Sequence, residues 1–139
     1  MLQEDFISFE TAVLLRERGF DEPIFEFYVG DENNIRYARN KDGFRLSELR
    51  LAELCGIFYY PHITLQMAHK WIRQQSGCLC INVNGYGVDE ERERTSTYRY
   101  SYAIINMRTF TEECMEDNFH TYEEALEAGI KRCLTDFKL

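Results

Sequence analysis

Apolar positions change their period along this chain, and the changes mark its elements. Tyr122, Ala125, Leu126, Gly129, Ile130, Cys133, Leu134 and Phe137 recur at helical spacing, with Glu124, Glu127 and Lys131 opposite. Thr121 followed by Glu124 predicts a capping box, in which the threonine oxygen accepts an early backbone N–H and the glutamate reaches back to the N–H of the cap itself. Cys133 falls inside the apolar arc and is predicted to be core. A second amphipathic helix is predicted from the cap Thr64 to Gly77. Leu65, Met67, Ala68, Trp71 and Ile72 form its apolar arc, Gln66, Lys70, Arg73 and Gln74 face away, and His69 lies at the seam. Gly77 is assigned the left-handed stop. A first helix runs from Ser8 to Arg18, ends at Gly19 and lets Phe20 pack back on Leu15 as in a Schellman motif. Arg16 interrupts its apolar face between Phe9 and Ala12.

Period-two segments fill the intervals. "PIFEFYV" (23–29) and "IRYAR" (35–39) flank the turn-rich "GDENN" and predict a hairpin. "CLCINVN" (78–84) and "YRYSYAIINM" (98–107) predict a second, joined by a charged segment, 85–97, that reads as an exposed mobile loop. "RLSELRLAEL", within 40–62, fits either a short helix with Leu46, Leu49 and Leu54 inward or a covering loop. The resulting order, α-β-β-α-β-β-α, predicts one α+β domain over residues 1–139, a two-layer sandwich of about four antiparallel strands packed with about three helices. The caps Ser8, Thr64 and Thr121 lie 56 and 57 residues apart. That spacing hints at a duplicated α-β-β unit, with almost no residue identity behind it.

Composition supports a folded chain. Of 139 residues, 45% are hydrophobic and 14% aromatic, enough for burial to offset the entropy of ordering. Charge narrows the partners. A net charge of −8 repels nucleic-acid phosphates and anionic membranes unless a local patch reverses the field. Residues 112–127 hold seven acids and no Lys or Arg, whereas residues 36–73 hold seven basic and three acidic side chains. Five cysteines in no framework, an N-terminus without a basic n-region or long apolar h-region, and no long apolar run predict a reducing, cytoplasmic setting without a signal peptide or membrane span.

Candidate chemistry is sparse. On an extended strand Cys78 and Cys80 point to one face with Cα atoms about 6.6 Å apart, and their parallel Cβ vectors disfavour a disulfide. His62 and His69, seven residues apart, do not complete a zinc set, so the cysteines read as small, partly buried hydrophobes. Cys114, near Asp117 and His120, is the best candidate thiol nucleophile, but the surrounding acids raise a thiol's pKa. Tyr98, Tyr100 and Tyr102 share one strand face, with Arg99 behind them, and could form a stacking platform for single-stranded nucleic acid. The acid clusters Asp89 to Glu93 and Glu112 to Asp117 read as solvated loops and match no calcium loop. No catalytic residue, metal ligand or cofactor is assigned.

"ISFETAVLLRERGFDEP", "ITLQMAHKWIRQQSG" and "FHTYEEALEAGIKRCL", in this order, resemble a family of short uncharacterised proteins from gut anaerobic bacteria and their prophages or mobile elements. The resemblance spans most of the chain outside 40–60 and 85–97. It rests on caps, helix faces and helix stops, and implies no activity and no catalytic residues. The expectation is therefore a cytoplasmic, phage- or mobile-element-associated module that binds another protein and catalyses nothing. The alternative is a nucleic-acid-binding accessory protein using Arg36, Arg39, Lys41, Arg45, Lys70 and Arg73 with Tyr98 and Tyr100. Reversing the sign gives a third expectation, an acidic mimic of DNA.

Overall fold

A computed structural model describes residues 5–90 and 95–139 of the chain, with side chains outside 89–96. The chain divides into two compact units, Met1–Thr64 and Leu65–Leu139. The architecture is α+β, but among the described residues the strands form two three-stranded antiparallel sheets rather than one sheet of four, and four α-helices accompany them.

The first unit opens with α1 (Phe9–Glu17). Ser8 caps it, its hydroxyl accepting from the Thr11 N–H at 3.3 Å. The end is a Schellman motif: Gly19 N–H donates to Arg16 O, Phe20 N–H to Leu15 O, and Gly19 takes φ +89°. Strands β1 (Glu26–Val29) and β2 (Ile35–Tyr37) form the expected hairpin, with Tyr28 opposite Ile35. On the other side of β1 lies β3 (Tyr59–Pro61), which the pattern did not signal. Three residues are too few to show a period, and a proline in a strand is confined to an edge, which is where Pro61 sits. Between β2 and β3, a 3-10 turn at Leu46–Leu49 leads into α2 (Arg50–Glu53), so the ambiguous segment is helical. Its leucines are not all inward: Leu46 and Leu49 are half-buried, whereas Leu54 is exposed. Ile7, Ala12, Leu15, Phe20, Ile24 and Phe27 are among the core residues of this unit.

The second unit begins with α3 (Leu65–Arg73), shorter than expected. Gly77 does not end it in the left-handed region. That conformation belongs to Cys78, φ 52°. Gly77 serves a close approach instead: a Cβ there would stand 2.4 Å from the Lys138 carbonyl oxygen, and its N–H donates to the Leu139 main-chain oxygen at 2.8 Å. The buried arc of α3 is Leu65, Ala68, His69, Trp71 and Ile72, with Met67 exposed, so the apolar face is centred nearer His69 than the wheel placed it.

Strands β4 (Leu79–Glu90) and β5 (Thr95–Asn106) pair without a break from Leu79↔Asn106 to Glu90↔Thr95. The stretch 85–97, expected as a loop, is therefore strand over 85–90 and 95–97. Tyr100 packs across the strands over Gly85, where a Cβ would stand 3.2 Å from its ring. The acid cluster Asp89 to Glu93 lies outside the described side chains. The second cluster is not a loop either: Glu112 to Asp117 belong to β6 (Thr111–Phe119), paired to β5 through two register shifts. Only Cys114 and Phe119 of β6 are half-buried, so no apolar alternation announced it.

Helix α4 (Tyr122–Asp136) follows, capped by the Thr121 hydroxyl, which accepts from the Glu124 N–H at 3.1 Å. The Glu124 carboxylate accepts from the N–H of His120 rather than from that of Thr121. Ala125, Leu126, Gly129, Ile130, Cys133 and Leu134 are buried, as the period requires. Gly129 lets the helix lie close on the sheet: a Cβ there would meet Ile81 Cγ2 at 2.7 Å and the Tyr102 ring at 3.3 Å. Each unit thus has a leading helix and a three-stranded sheet, yet the first is ordered β2-β1-β3 and the second β4-β5-β6. The central strand differs, so the cap spacing does not reflect a repeated topology.

Candidate interaction surfaces

In the first unit, segment 45–58 projects its apolar residues outward. The Asp21 main-chain oxygen accepts from the Arg45 guanidinium at 2.7 Å, and its carboxylate from the Ser47 N–H at 2.8 Å, which anchors the start of the turn. The end repeats the grammar of α1: Gly56 N–H donates to Glu53 O, Ile57 N–H to Ala52 O, and Gly56 takes φ +80°. Glu53 pairs with Arg16, whose guanidinium also lies 5.6 Å from the Phe58 ring centroid and 5.3 Å from that of Tyr60. Arg16 thus breaks the apolar face of α1 to tie α2 down. Held at both ends, the segment leaves Leu51 77% and Leu54 84% exposed on one face, with Ile57, Phe58 and Cys55 also exposed. Arg50 beside them is exposed and makes no hydrogen bond or ion pair among the described residues. Behind the segment, Arg16, Gly19, Phe20, Asp21, Leu46, Ser47, Arg50 and Glu53 line an open cleft of about 470 Å³ with two positive and two negative side chains.

His62 lies in the same unit. Its Nδ1 is 2.7 Å from Glu26 Oε2, its ring stacks on Phe6 with centroids 4.2 Å apart, and Tyr28 meets it edge-on. The carboxylate fixes the ring as it would a general base, but no hydroxyl or thiol hydrogen-bonds to His62 among the described residues.

His69, in the second unit, has a different task. Its Nε2 accepts the Ile81 N–H at 3.0 Å, so the outward-facing amide at the start of β4 is satisfied by a side chain instead of a strand. Cys80 Sγ is 3.8 Å from the same nitrogen. Cys78 and Cys80 do not both lie on a strand face, because Cys78 precedes β4 in the left-handed region. Among the described residues, no three His, Cys, Asp or Glu side chains gather as a metal site. Cys114 makes no hydrogen bond to Asp117 or His120, and burial, before the neighbouring Asp136, Glu112 and Glu113, pushes its thiol pKa up against the opposing effect of Arg132. The acids act in the expected direction, but burial is the larger cause.

The eight residues of the nucleic-acid expectation fall into two sets. Arg36, Arg39, Lys41 and Arg45 are exposed in the first unit, where Arg36 and Arg39 border a shallow depression with Ile35 and Tyr37. Lys70, Arg73, Tyr98 and Tyr100 belong to the second. There the tyrosines form a gradient rather than a platform. Tyr98 is 69% exposed, Tyr100 is half-buried and edge-on to Tyr122, and Tyr102 is buried with its hydroxyl donating to Glu116 at 2.8 Å. Helix α4 covers this face from Tyr100 onward, as the contact of Gly129 with the Tyr102 ring shows.

Sequence reasoning missed Leu51 and Leu54 as surface residues. The signal was present in Leu46, Leu49, Leu51 and Leu54, because at 100° per residue Leu49 and Leu51 fall about 160° apart and the four cannot all turn inward from one helix. The chain matches no family model, and no curated protein or solved structure matches it. No helix among the described residues is long and apolar enough to cross a membrane.

Proposed function

We propose that the chain is a non-catalytic protein-interaction module and that segment 45–58 is its docking face. The observation that carries this reading is the exposure of Leu51 and Leu54, i and i+3 on one helical turn, followed in the chain by exposed Ile57 and Phe58. Scattered apolar side chains are ordinary on a protein surface. An exposed leucine stripe on a segment braced by an ion pair, a cation–π contact to Phe58 and a Schellman end is the kind of patch that marks a partner site. The bracing also presents the stripe in a fixed shape, which lowers the entropy lost on docking. Phage or mobile-element association belongs to the same proposal and is supported by the three phrases that resemble that family.

The test is affinity capture with the tagged protein and its L51S/L54S variant, compared in one lysate by quantitative mass spectrometry. A partner retained by the wild type and lost with the variant is expected. Identical retained sets would refute 45–58 as the docking face.

A further inference from the structure

We propose that strand β6 receives a basic, extended segment of a second protein, which joins the second sheet as a fourth strand. The inference concerns the second unit alone and is independent of segment 45–58. In the order β4-β5-β6, strand β6 is paired with β5 on one side only. An antiparallel strand turns the N–H and C=O of alternate residues away from its neighbour, so a row of main-chain donors and acceptors lies along the outer side of β6. Beyond the pairing with β5, one hydrogen bond reaches a main-chain group of this strand among the described residues: the Tyr86 hydroxyl accepts from the Asn118 N–H at 3.0 Å, near the end of the strand. The other edge of the sheet is treated differently, since His69 satisfies the Ile81 N–H at the start of β4.

Charge states what the incoming strand carries. Glu112, Glu113, Glu116 and Asp117 of β6 are all exposed, and the strand has no Lys or Arg. The sign persists when the neighbourhood is counted: residues 107–136 hold eight acids against three basic side chains, and one of those three, Arg132, is paired with Asp136 on its own helix. A lysine- or arginine-bearing strand is attracted to such an edge, whereas an acidic strand is repelled. The same carboxylates keep two copies of β6 apart, because like charges set opposite each other across a strand pair destabilise it.

Shape sets the length of the contact. Cys114, Met115 and Glu116 pair with Ile104, Ala103 and Tyr102 in unbroken register between the two register shifts, which gives a short straight run for the incoming main chain. Glu112, Glu113 and Asp117 stand at its two ends to meet basic side chains. Met115, 58% exposed, alternates with Glu116 and so lies on the face opposite the one that binds Tyr102, where it offers an adaptable apolar contact between the acids. Main-chain hydrogen bonds then supply the affinity, and alternate basic and apolar side chains supply the selectivity.

The test titrates the full chain into a fluorescein-labelled peptide of alternating lysine and valine, about eight residues long, and follows anisotropy. Two control peptides accompany it: one with glutamate in place of lysine, and one with the lysines kept but the main-chain nitrogens of consecutive central residues methylated, which blocks pairing along both edges. Wild type is expected to bind the lysine peptide at least about tenfold more tightly than either control. Binding should weaken when salt goes from about 50 mM to about 500 mM, which shortens the screening length about threefold. On addition of the lysine peptide, amides within 112–117 should gain protection from hydrogen exchange. The variant E112K/D117K changes exposed residues that make no hydrogen bond among the described residues, so its circular dichroism and melting temperature should match wild type while its affinity for the lysine peptide falls at least about tenfold.

Absence of binding at low salt overturns the proposal. Equal binding of the methylated peptide shows attraction between charges without strand pairing and overturns it too, as does affinity that E112K/D117K leaves unchanged. None of these measurements involves Leu51 or Leu54, so the outcome at β6 and the outcome at 45–58 are read separately.

Discussion

His69 has a donor on each side. The Ile81 N–H lies 3.0 Å from Nε2, and the Arg73 guanidinium lies 3.0 Å from Nδ1. A neutral imidazole offers only one acceptor nitrogen. The Ile81 amide is fixed in β4, whereas Arg73 is exposed and can turn its guanidinium to water. The ring therefore settles as the Nδ1–H tautomer with Nε2 accepting from Ile81. Burial first, and the Arg73 charge second, lower its pKa from 6.5 to about 4. As pH falls through that interval the unfolded chain takes up a proton that the folded chain refuses, so stability declines. Above pH 6.5 the contribution is fully present, and below about 4 this group adds no further loss. The fall across the window amounts to at most about 3 kcal/mol. His69→Ala should lose about 1–2 kcal/mol at pH 7, because the Ile81 N–H is left without its acceptor. It should also be less sensitive to acid than wild type between pH 7 and about 4.5, where the linkage acts. Urea unfolding of both proteins at the two pH values checks this; equal acid sensitivity would disprove the assignment. The sequence placed His69 at the edge of an apolar arc, but its hydrogen-bond partner is on another element and could not be read from a helical wheel.

At the scale of elements, what was legible depended on whether an element's own residues determine it. Helix α4 was readable through its Thr121 cap and its buried arc from Ala125 to Leu134, which are local, although Tyr122, at the start of the predicted arc, is exposed and Phe137, at its end, lies past the last turn. The Gly19 stop was readable for the same reason, and the Gly56 stop, with apolar Ile57 after it, carries the same signal in a segment left ambiguous. Strand β6 was not readable. Its order comes from pairing with β5, while its own side chains are acidic and solvent-facing. Gly77 was identified as special for the wrong reason, since the demand on it comes from the Lys138 carbonyl, 61 positions away. Gly129 is another demand set by a neighbour. In isolation, alanine in a helix is favoured over glycine by about 1 kcal/mol. Here the added methyl would sit 2.7 Å from Ile81 Cγ2, a branched and buried atom that cannot swing aside. Overpacking of that kind costs about 1–3 kcal/mol and more than cancels the helical gain. Gly129→Ala should therefore lower the midpoint of urea unfolding; a rise in midpoint would show that α4 does not lie against the sheet at this distance.

For the molecule as a whole, the uneven charge was visible in the sequence, whereas the role of the basic middle was not. Within that middle, Arg45 donates to the Asp21 main-chain oxygen and Arg73 lies by His69, contacts that the sequence did not announce. The candidate site was hidden for a related reason: an exposed leucine and a core leucine look alike until the surrounding chain is placed. The division into two units carries a last prediction. Leu65–Leu139 contains a complete three-stranded meander, both helices that accompany it, and buried Ile81, Tyr102, Ile104, Leu126, Ile130 and Leu134. A core of this kind, built from residues of one continuous segment, satisfies its own sheet and helix hydrogen bonds. At 75 residues it is near the lower size at which an unstapled domain holds together, since stability there is only about 3–5 kcal/mol. Expressed alone, residues 65–139 should fold and unfold in a single cooperative urea transition at lower denaturant than the full chain. Trp71, the single tryptophan and buried, reports it directly. Its emission should be blue-shifted in the fragment and move to the red through the transition; emission at the solvent-exposed wavelength with no transition would show that this unit needs residues 1–64 to fold.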